Sequence, residues 1–260
     1  MFKTLRNRLL NSLAFRSGYR LISADDPRVR SADFPDIRAL QLSAIHPSQL
    51  RSSGTTSDLI QQILPVITVA CEINLDAVES RIDETHPVKG ITNNWPGNHY
   101  RLLAAFVKHF KPKSVIEVGT FTGVSFLSLT ECLASDASLV TYDIVPFDRI
   151  TGTHLRKTDF NTTNRQQIVG DLANEEFFRT QADRFRNCDL LFVDGPKDNQ
   201  FEYQFWDLLT RSGLKPGCFV IFDDIRLVQM LRFWNDLKLP KLDLVSFGHY
   251  TGTGVFIWTP

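Results

Sequence analysis

The 260-residue chain has no surplus of either charge: 29 lysines and arginines face 29 aspartates and glutamates. Such a balance supplies no global positive field, which argues against a nucleic-acid partner. Cysteine is scarce. Cys71, Cys132, Cys188 and Cys218 are scattered and form no Cys-x-x-Cys pair. That speaks against a disulfide scaffold and a thiolate zinc site, and favours reduced thiols in a cytoplasmic protein. Long apolar runs are missing too. The longest, Ile63 to Ala70, is broken by Pro65 and falls short of a membrane span. No internal repeat and no low-complexity segment is present. What remains, 43% hydrophobic and 22% charged residues, is ordinary globular composition and argues against wholesale disorder.

The chain divides by texture near residue 96. Residues 1–96 carry breakers such as Asp26-Pro27, Phe34-Pro35 and His46-Pro47 and few strand signals, so they read as a mostly helical N-terminal extension. A helix is expected within 57–82, with Ser57 placed to cap it. Residues 1–24 hold Lys3, Arg6, Arg8, Arg16 and Arg20 with no acid before Asp25. With Phe2, Leu5, Leu9 and Leu13 they suit a basic amphipathic helix, either docked on its own domain or making a peripheral membrane contact. A secretory signal would need a longer uninterrupted apolar centre. A homo-oligomer stays open.

From residue 97 onward, short apolar runs alternate with helical spacing. The runs are Ser114–Val118, Leu139–Asp143, Gln167–Gly170, Leu190–Asp194 and Phe219–Asp223. The helices are expected over Asn98–Phe110, Val124–Ala134, Asn174–Phe185, Asn199–Ser212 and Ile225–Lys238, with a poorly defined segment in 150–164. Runs that are apolar throughout suit a parallel sheet covered on both faces, hence a doubly wound α/β fold over 97–260. Leu242–Phe247 and Gly254–Trp258 read as a closing antiparallel hairpin.

The first run ends in Glu117-Val118-Gly119-Thr120-Phe121-Thr122-Gly123. Gly119 would let the chain turn with positive φ, and Gly123 would permit close approach to a ligand. Phe121 stands where the dinucleotide fingerprint needs its second glycine, so a dehydrogenase is disfavoured. Asp143 ends the second run 24 residues after Gly119. An acid there can hydrogen-bond ribose hydroxyls. Gly170-Asp171-Leu172 follows the third run, where an adenine would lie.

These residues resemble the class I S-adenosylmethionine-dependent methyltransferases over roughly 97–260. The resemblance implies a seven-stranded sheet in the order 3-2-1-4-5-7-6, strand seven antiparallel. It also implies a donor bound by Glu117, Gly119, Thr120, Phe121, Gly123, Ser125, Asp143, Gly170, Asp171, Leu172 and Asp194. In that placement Ser125 meets the donor's carboxylate and Glu117 lies near its amino group.

Strand four ends in Asp194-Gly195-Pro196-Lys197 and strand five in Asp223-Asp224. Three hard oxygen donors at neighbouring strand ends suit Mg²⁺ or another divalent cation. The same residues also have plain readings: Asp224 as a helix cap, Asp194 as a loop acid, Lys197 as its ion-pair partner. Together they resemble the metal-dependent O-methyltransferases of the catechol and caffeoyl-CoA type. Carried over, Asp194, Asp223 and Asp224 hold the metal. Asp194 and Lys197 are the catalytic pair, Lys197 taking the acceptor proton. Asp224 stands where the family usually has Asn. The implied acceptor is a small molecule or glycan with a vicinal diol, and Trp95, His99, Tyr100, Trp206, His249 and Tyr250 are candidates for its pocket. Two other readings compete: metal-independent methylation of nitrogen, carbon or oxygen, and a non-catalytic donor-binding module.

Overall fold

The computed structural model describes residues 55–86, 88–93, 98–160 and 163–260. The basic segment 1–24 and Trp95 lie outside them. The parallel strands are β1 (Ser114–Val118), β2 (Ser138–Asp143), β3 (Arg165–Val169), β4 (Leu190–Val193) and β5 (Phe219–Asp223); β3, at the edge, begins earlier than the expected Gln167 and is largely polar. A sixth strand β6 (Leu242–Asp243) and a seventh, β7 (Thr253–Ile257), complete a sheet in the order β3-β2-β1-β4-β5-β7-β6. β7 runs antiparallel to both of its neighbours. Fold class and strand order are those expected from the sequence.

The inner strands are largely apolar because alternate residues serve two different cores. Val115, Leu139, Leu190, Phe192 and Ile221 pack on one face with α1 (Thr55–Glu72), α3 (His99–Phe110) and α4 (Val124–Glu131). Ile116, Val140, Leu191, Val220 and Phe222 pack on the other with α5 (Glu175–Arg186), α6 (Phe201–Ser212) and α7 (Val228–Asp236). A short helix α2 (Asp76–Glu79) joins the first group. α1 begins at Thr55, which places Ser57 inside its first turn rather than at a cap.

Three local expectations change. Among its described residues the segment 150–164 forms no α-helix; turns and the 3₁₀ piece Lys157–Phe160 carry the chain there. β6 stops at Asp243 because Val245 donates its backbone N–H to the Asp243 carboxylate and Phe247 its own to the Leu244 carbonyl, turning the chain out of the ladder. The connection to β7 is therefore longer than a tight hairpin. Trp206 does not line a pocket: it packs edge-on against Phe222, Phe256 and Trp258. All four cysteines are free thiols, with Cys188 and Cys218 buried.

Phe256 is fully buried in this aromatic cluster, far along β7 from the carboxyl edge of β5. Phe256→Ala should lower unfolding free energy by about 3–5 kcal/mol. Urea melts check this, and a loss well under that range would mean the cluster repacks.

Candidate active site

The strand order reverses direction between β1 and β4, and the carboxyl ends of both strands open there into a cavity of about 490 Å³. Such a switch point is where open α/β sheets bind ligands. Gly119, Phe121, Asp143, Gly170, Asp171, Leu172 and Asp194 all line it. Gly119 adopts φ +98°, and any side chain on it would collide with the Asp194 carbonyl. The turn therefore needs glycine on two counts, conformation and the close passage of the chain leaving β4.

Gly123 corrects the expectation. It has φ +88° and precedes α4, but the group pressed against it is the Leu155 side chain, not an open ligand space. The segment after β2 folds back over the turn, and the His154 N–H donates to the Thr122 carbonyl.

Asp143 does more than end a strand. One carboxylate oxygen accepts from the N–H groups of Thr120 and Phe121, both at 3.0 Å, and the other accepts from Val145. It holds the glycine turn in shape from across the cavity mouth. Phe121, at φ +42°, is 69% exposed beside the equally exposed Ile144, so two apolar side chains flank the cavity. Thr120 is buried and bonds Thr141.

Glu117 lies beneath the turn, fully buried, and neither carboxylate oxygen has a hydrogen-bond partner. Burial pushes its carboxyl up to about 8; the Ser125 and Thr141 hydroxyls lie near enough to oppose the rise, but neither makes a hydrogen bond of good geometry to it. Ser125 is buried beside it. A buried carboxyl with nothing to bond is where a cationic group would be accommodated.

The second cluster adjoins the first through Asp194. One ligand atom each of Asp194, Asp223 and Asp224 lies within 4.8 Å of the others. They are not unpaired. Lys197 donates to Asp194 at 2.6 Å and reaches Asp224 at 3.7 Å. His249 Nε2 lies 2.5 Å from Asp223 Oδ1, and His99 Nδ1 lies 3.7 Å from the same oxygen. Burial raises Asp194 to about 7, with Asp223 adding to the rise and Lys197 opposing it. Asp224 is raised by burial and by Asp223. Burial works to raise Asp223 as well, yet His99, His249 and Lys197 outweigh it and hold the carboxyl far below the usual range. Burial works against the Lys197 charge, but the three carboxylates overcome it and raise its pKa. His99 is driven down to about 4, chiefly by burial.

Asp224 is no helix cap: α7 starts at Val228 with Leu227 before it. Asp224 instead sits at φ +57° in the turn that leaves β5. Tyr100 lies next to the cluster, its hydroxyl pKa raised by burial and by Asp194, Asp223, Glu117 and Asp224. His99, Tyr100 and His249 thus meet the carboxylates. Tyr250 is exposed on the His249 loop and contacts the His249 ring edge-on. No spacing rule pointed to the histidines as a pair, because they lie 150 residues apart and come together only when β7 pairs with β5.

A family profile described as a methyltransferase domain matches residues 116–225, which run from inside β1 to just past Asp224. The chain carries a methyltransferase domain. Among curated proteins it is 26% identical over 211 residues to caffeoyl-CoA O-methyltransferase 1 of Zea mays, covering 75% of this chain and 77% of that one. It is 25% identical over 176 residues to caffeoyl-CoA O-methyltransferase of Pinus taeda, covering 61% and 64%. The resemblance to the caffeoyl-CoA type drawn from Asp194, Lys197, Asp223 and Asp224 is borne out by these relatives. Among solved structures, an SAH-bound methyltransferase of Podospora anserina is 16% identical over 84% of this chain and 100% of that one, with a TM-score of 0.49.

The methyltransferase's free form should show the unpartnered acid directly. With Glu117 raised to about 8, the folded chain keeps a proton that the unfolded chain loses near its ordinary value of about 4.5. Between those pH values the unfolded state binds fewer protons, so this group's contribution to stability falls as pH rises. Glu117→Gln has no such proton to lose. Thermal melts without donor should show the variant gaining on the wild type by a few kcal/mol from about pH 5 to about pH 8. A gap that stays constant with pH would mean Glu117 is ionised in the folded protein.

Proposed function

We propose that this methyltransferase transfers the methyl group of S-adenosylmethionine to a hydroxyl oxygen of a vicinal diol, on a small molecule or glycan, with the help of a divalent cation. The observation that carries the reading is the convergence of Asp194, Asp223 and Asp224 at the edge of the donor cavity, within reach of Lys197. An all-oxygen carboxylate set suits Mg²⁺, Ca²⁺ or Mn²⁺. Asp194, Asp223 and Asp224 would hold it. When bound, such a cation lowers the pKa of an acceptor hydroxyl and orients its oxygen.

The chain's own residues supply the rest. Asp143 keeps the turn shaped through Thr120 and Phe121 and presents its carboxylate at the cavity wall. Glu117, buried without a partner, suits the donor's amino group. Lys197 is the candidate acceptor of the hydroxyl proton. To serve as a base it must first give up a proton, and a cation among the carboxylates would weaken their hold on its charge. The placement of donor and acceptor on two sides of Asp194 favours direct methyl transfer, with proximity contributing much of the rate.

The relatives' names carry an O-methyl reading of the same kind, with caffeoyl-CoA as the acceptor named for them. Metal-independent transfer is the second reading, and a specific observation favours it: Lys197 and His249 already pair two of the three carboxylates.

Two measurements decide. Chelator should abolish turnover with a catechol or sugar-diol acceptor, and Mg²⁺ or Mn²⁺ should restore it, while S-adenosylmethionine still binds. Full turnover after exhaustive chelation would establish the metal-independent reading instead. Lys197→Ala should lower kcat by about 10²–10⁴-fold and leave donor affinity nearly unchanged. On the donor side, Asp143→Ala should weaken S-adenosylmethionine binding by about 1.5–3 kcal/mol. It should also lower the melting temperature, because two turn amides lose their acceptor; unchanged donor affinity by calorimetry would remove Asp143 from the donor site.

A further inference from the structure

A second set of metal-binding atoms stands beside the carboxylate cluster. His99, His249 and Asp223 each offer one ligand atom, and these three atoms lie within 4.8 Å of one another. Both imidazoles approach the same oxygen, Oδ1, at 3.7 and 2.5 Å. Two ligands on one first-row metal, each about 2.0–2.2 Å from it, stand about 3 Å apart, so small movements bring these three atoms onto a common ion.

The arrangement is held by backbone, not by chance rotamers. His99 opens α3, and Asn98 just before it donates its N–H to the Phe247 carbonyl at 2.8 Å. The loop bearing His249 is tied at its other end, where Arg226 N–H donates to the Thr251 carbonyl at 2.8 Å and Leu244 N–H to the Thr253 carbonyl at 2.7 Å. Asp223 ends β5 in register with Thr253. The Thr251 hydroxyl contacts His249 Nδ1, which leaves Nε2 turned to Asp223. The two rings meet edge to face with centroids 4.4 Å apart. A helix start, a strand end and a loop tied by backbone hydrogen bonds thus present the three side chains together.

We propose that His99, His249 and Asp223 form a second divalent-cation position, adjoining the carboxylate one through the shared Asp223 and selective for an imidazole-binding ion such as Zn²⁺ or Co²⁺. The chemistry of the donors sets the selectivity. Three carboxylates favour hard ions, whereas two imidazole nitrogens and one oxygen favour the later first-row metals. Because Asp223 serves both positions, filling one alters the other.

The proposal does not require the diol-methylation reading, and its test does not measure turnover. The full chain is titrated with Zn²⁺ and with Mg²⁺ by calorimetry, and with Co²⁺ by visible absorption, with far-UV circular dichroism as the check that each variant folds. His99→Ala and His249→Ala should each weaken Zn²⁺ and Co²⁺ binding by about tenfold or more and change the Co²⁺ spectrum, while leaving Mg²⁺ affinity little altered. Asp194→Asn should weaken Mg²⁺ and spare Zn²⁺. His249→Gln can still donate to Asp223 and should not restore Zn²⁺ binding. The proposal is overturned if Zn²⁺ affinity and the Co²⁺ spectrum are the same in both histidine variants as in the wild type. It is equally overturned if His249→Gln recovers full affinity, which would make His249 an orienting partner of Asp223. A chelation experiment that shows turnover to be metal-free would dismiss the diol mechanism and leave these titrations standing.

Discussion

Crowding three carboxylates, Asp223 buried and Asp194 and Asp224 half-buried, at the ends of two adjacent strands is the constraint on which the rest of this candidate site turns. Charge of one sign, partly removed from water and crowded together, must be neutralised or compensated. The chain does both in part. Asp194 and Asp224 are pushed toward their protonated forms, while Asp223 stays ionised beside two imidazoles. Lys197 reaches across from the loop after β4, and His249 reaches in from the β6–β7 connection. These compensating groups come from different elements, so the cluster also pins the N-terminus of α3, the β4 loop and the β7 approach to one another.

Asp194 couples that cluster to the donor side. Its backbone N–H donates to the Val118 carbonyl at 2.7 Å, and its own carbonyl passes so close to Gly119 that no side chain is tolerated there. Its carboxylate lines the cavity at the β1–β4 switch point and pairs with Lys197. One residue therefore sets the distance between the glycine turn and the carboxylates. A shift in the β4 loop would be felt on both sides, which is why the register β1–β4, Val118 opposite Val193, matters for chemistry as well as stability.

Strand cores were legible in the residues because burial on two faces leaves no polar interruption. β1 and β5 have the bounds read from the sequence, Ser114–Val118 and Phe219–Asp223. The strand-end acids followed from the strands. What escaped notice depends on long-range packing. Gly123 looks like a ligand-facing glycine until Leu155 is seen against it. Trp206 looks like a pocket aromatic until Phe222, Phe256 and Trp258 surround it. The pairing of carboxylates by Lys197 was partly visible in the three-residue spacing. The pairing by His249 was not, because no local rule places a loop histidine over a strand end.

The exchange of the family's usual Asn for Asp224 has a physical reading in the backbone. Asp224 adopts φ +57°, a left-handed conformation that costs most side chains roughly 1–2 kcal/mol and that Asn and Asp tolerate best. Either residue can therefore hold the turn out of β5 and present an oxygen in the same direction. Asp adds a negative charge where burial and Asp223 already oppose it. That extra charge is consistent with Lys197 spanning Asp194 and Asp224, since an amide at 224 would attract the ammonium less. It also gives any cation at the cluster a third carboxylate, which raises affinity but makes the bare cluster harder to bury. The departure from Asn thus leaves the backbone geometry in place and moves the electrostatics toward stronger dependence on whatever positive charge, side chain or ion, sits among the acids.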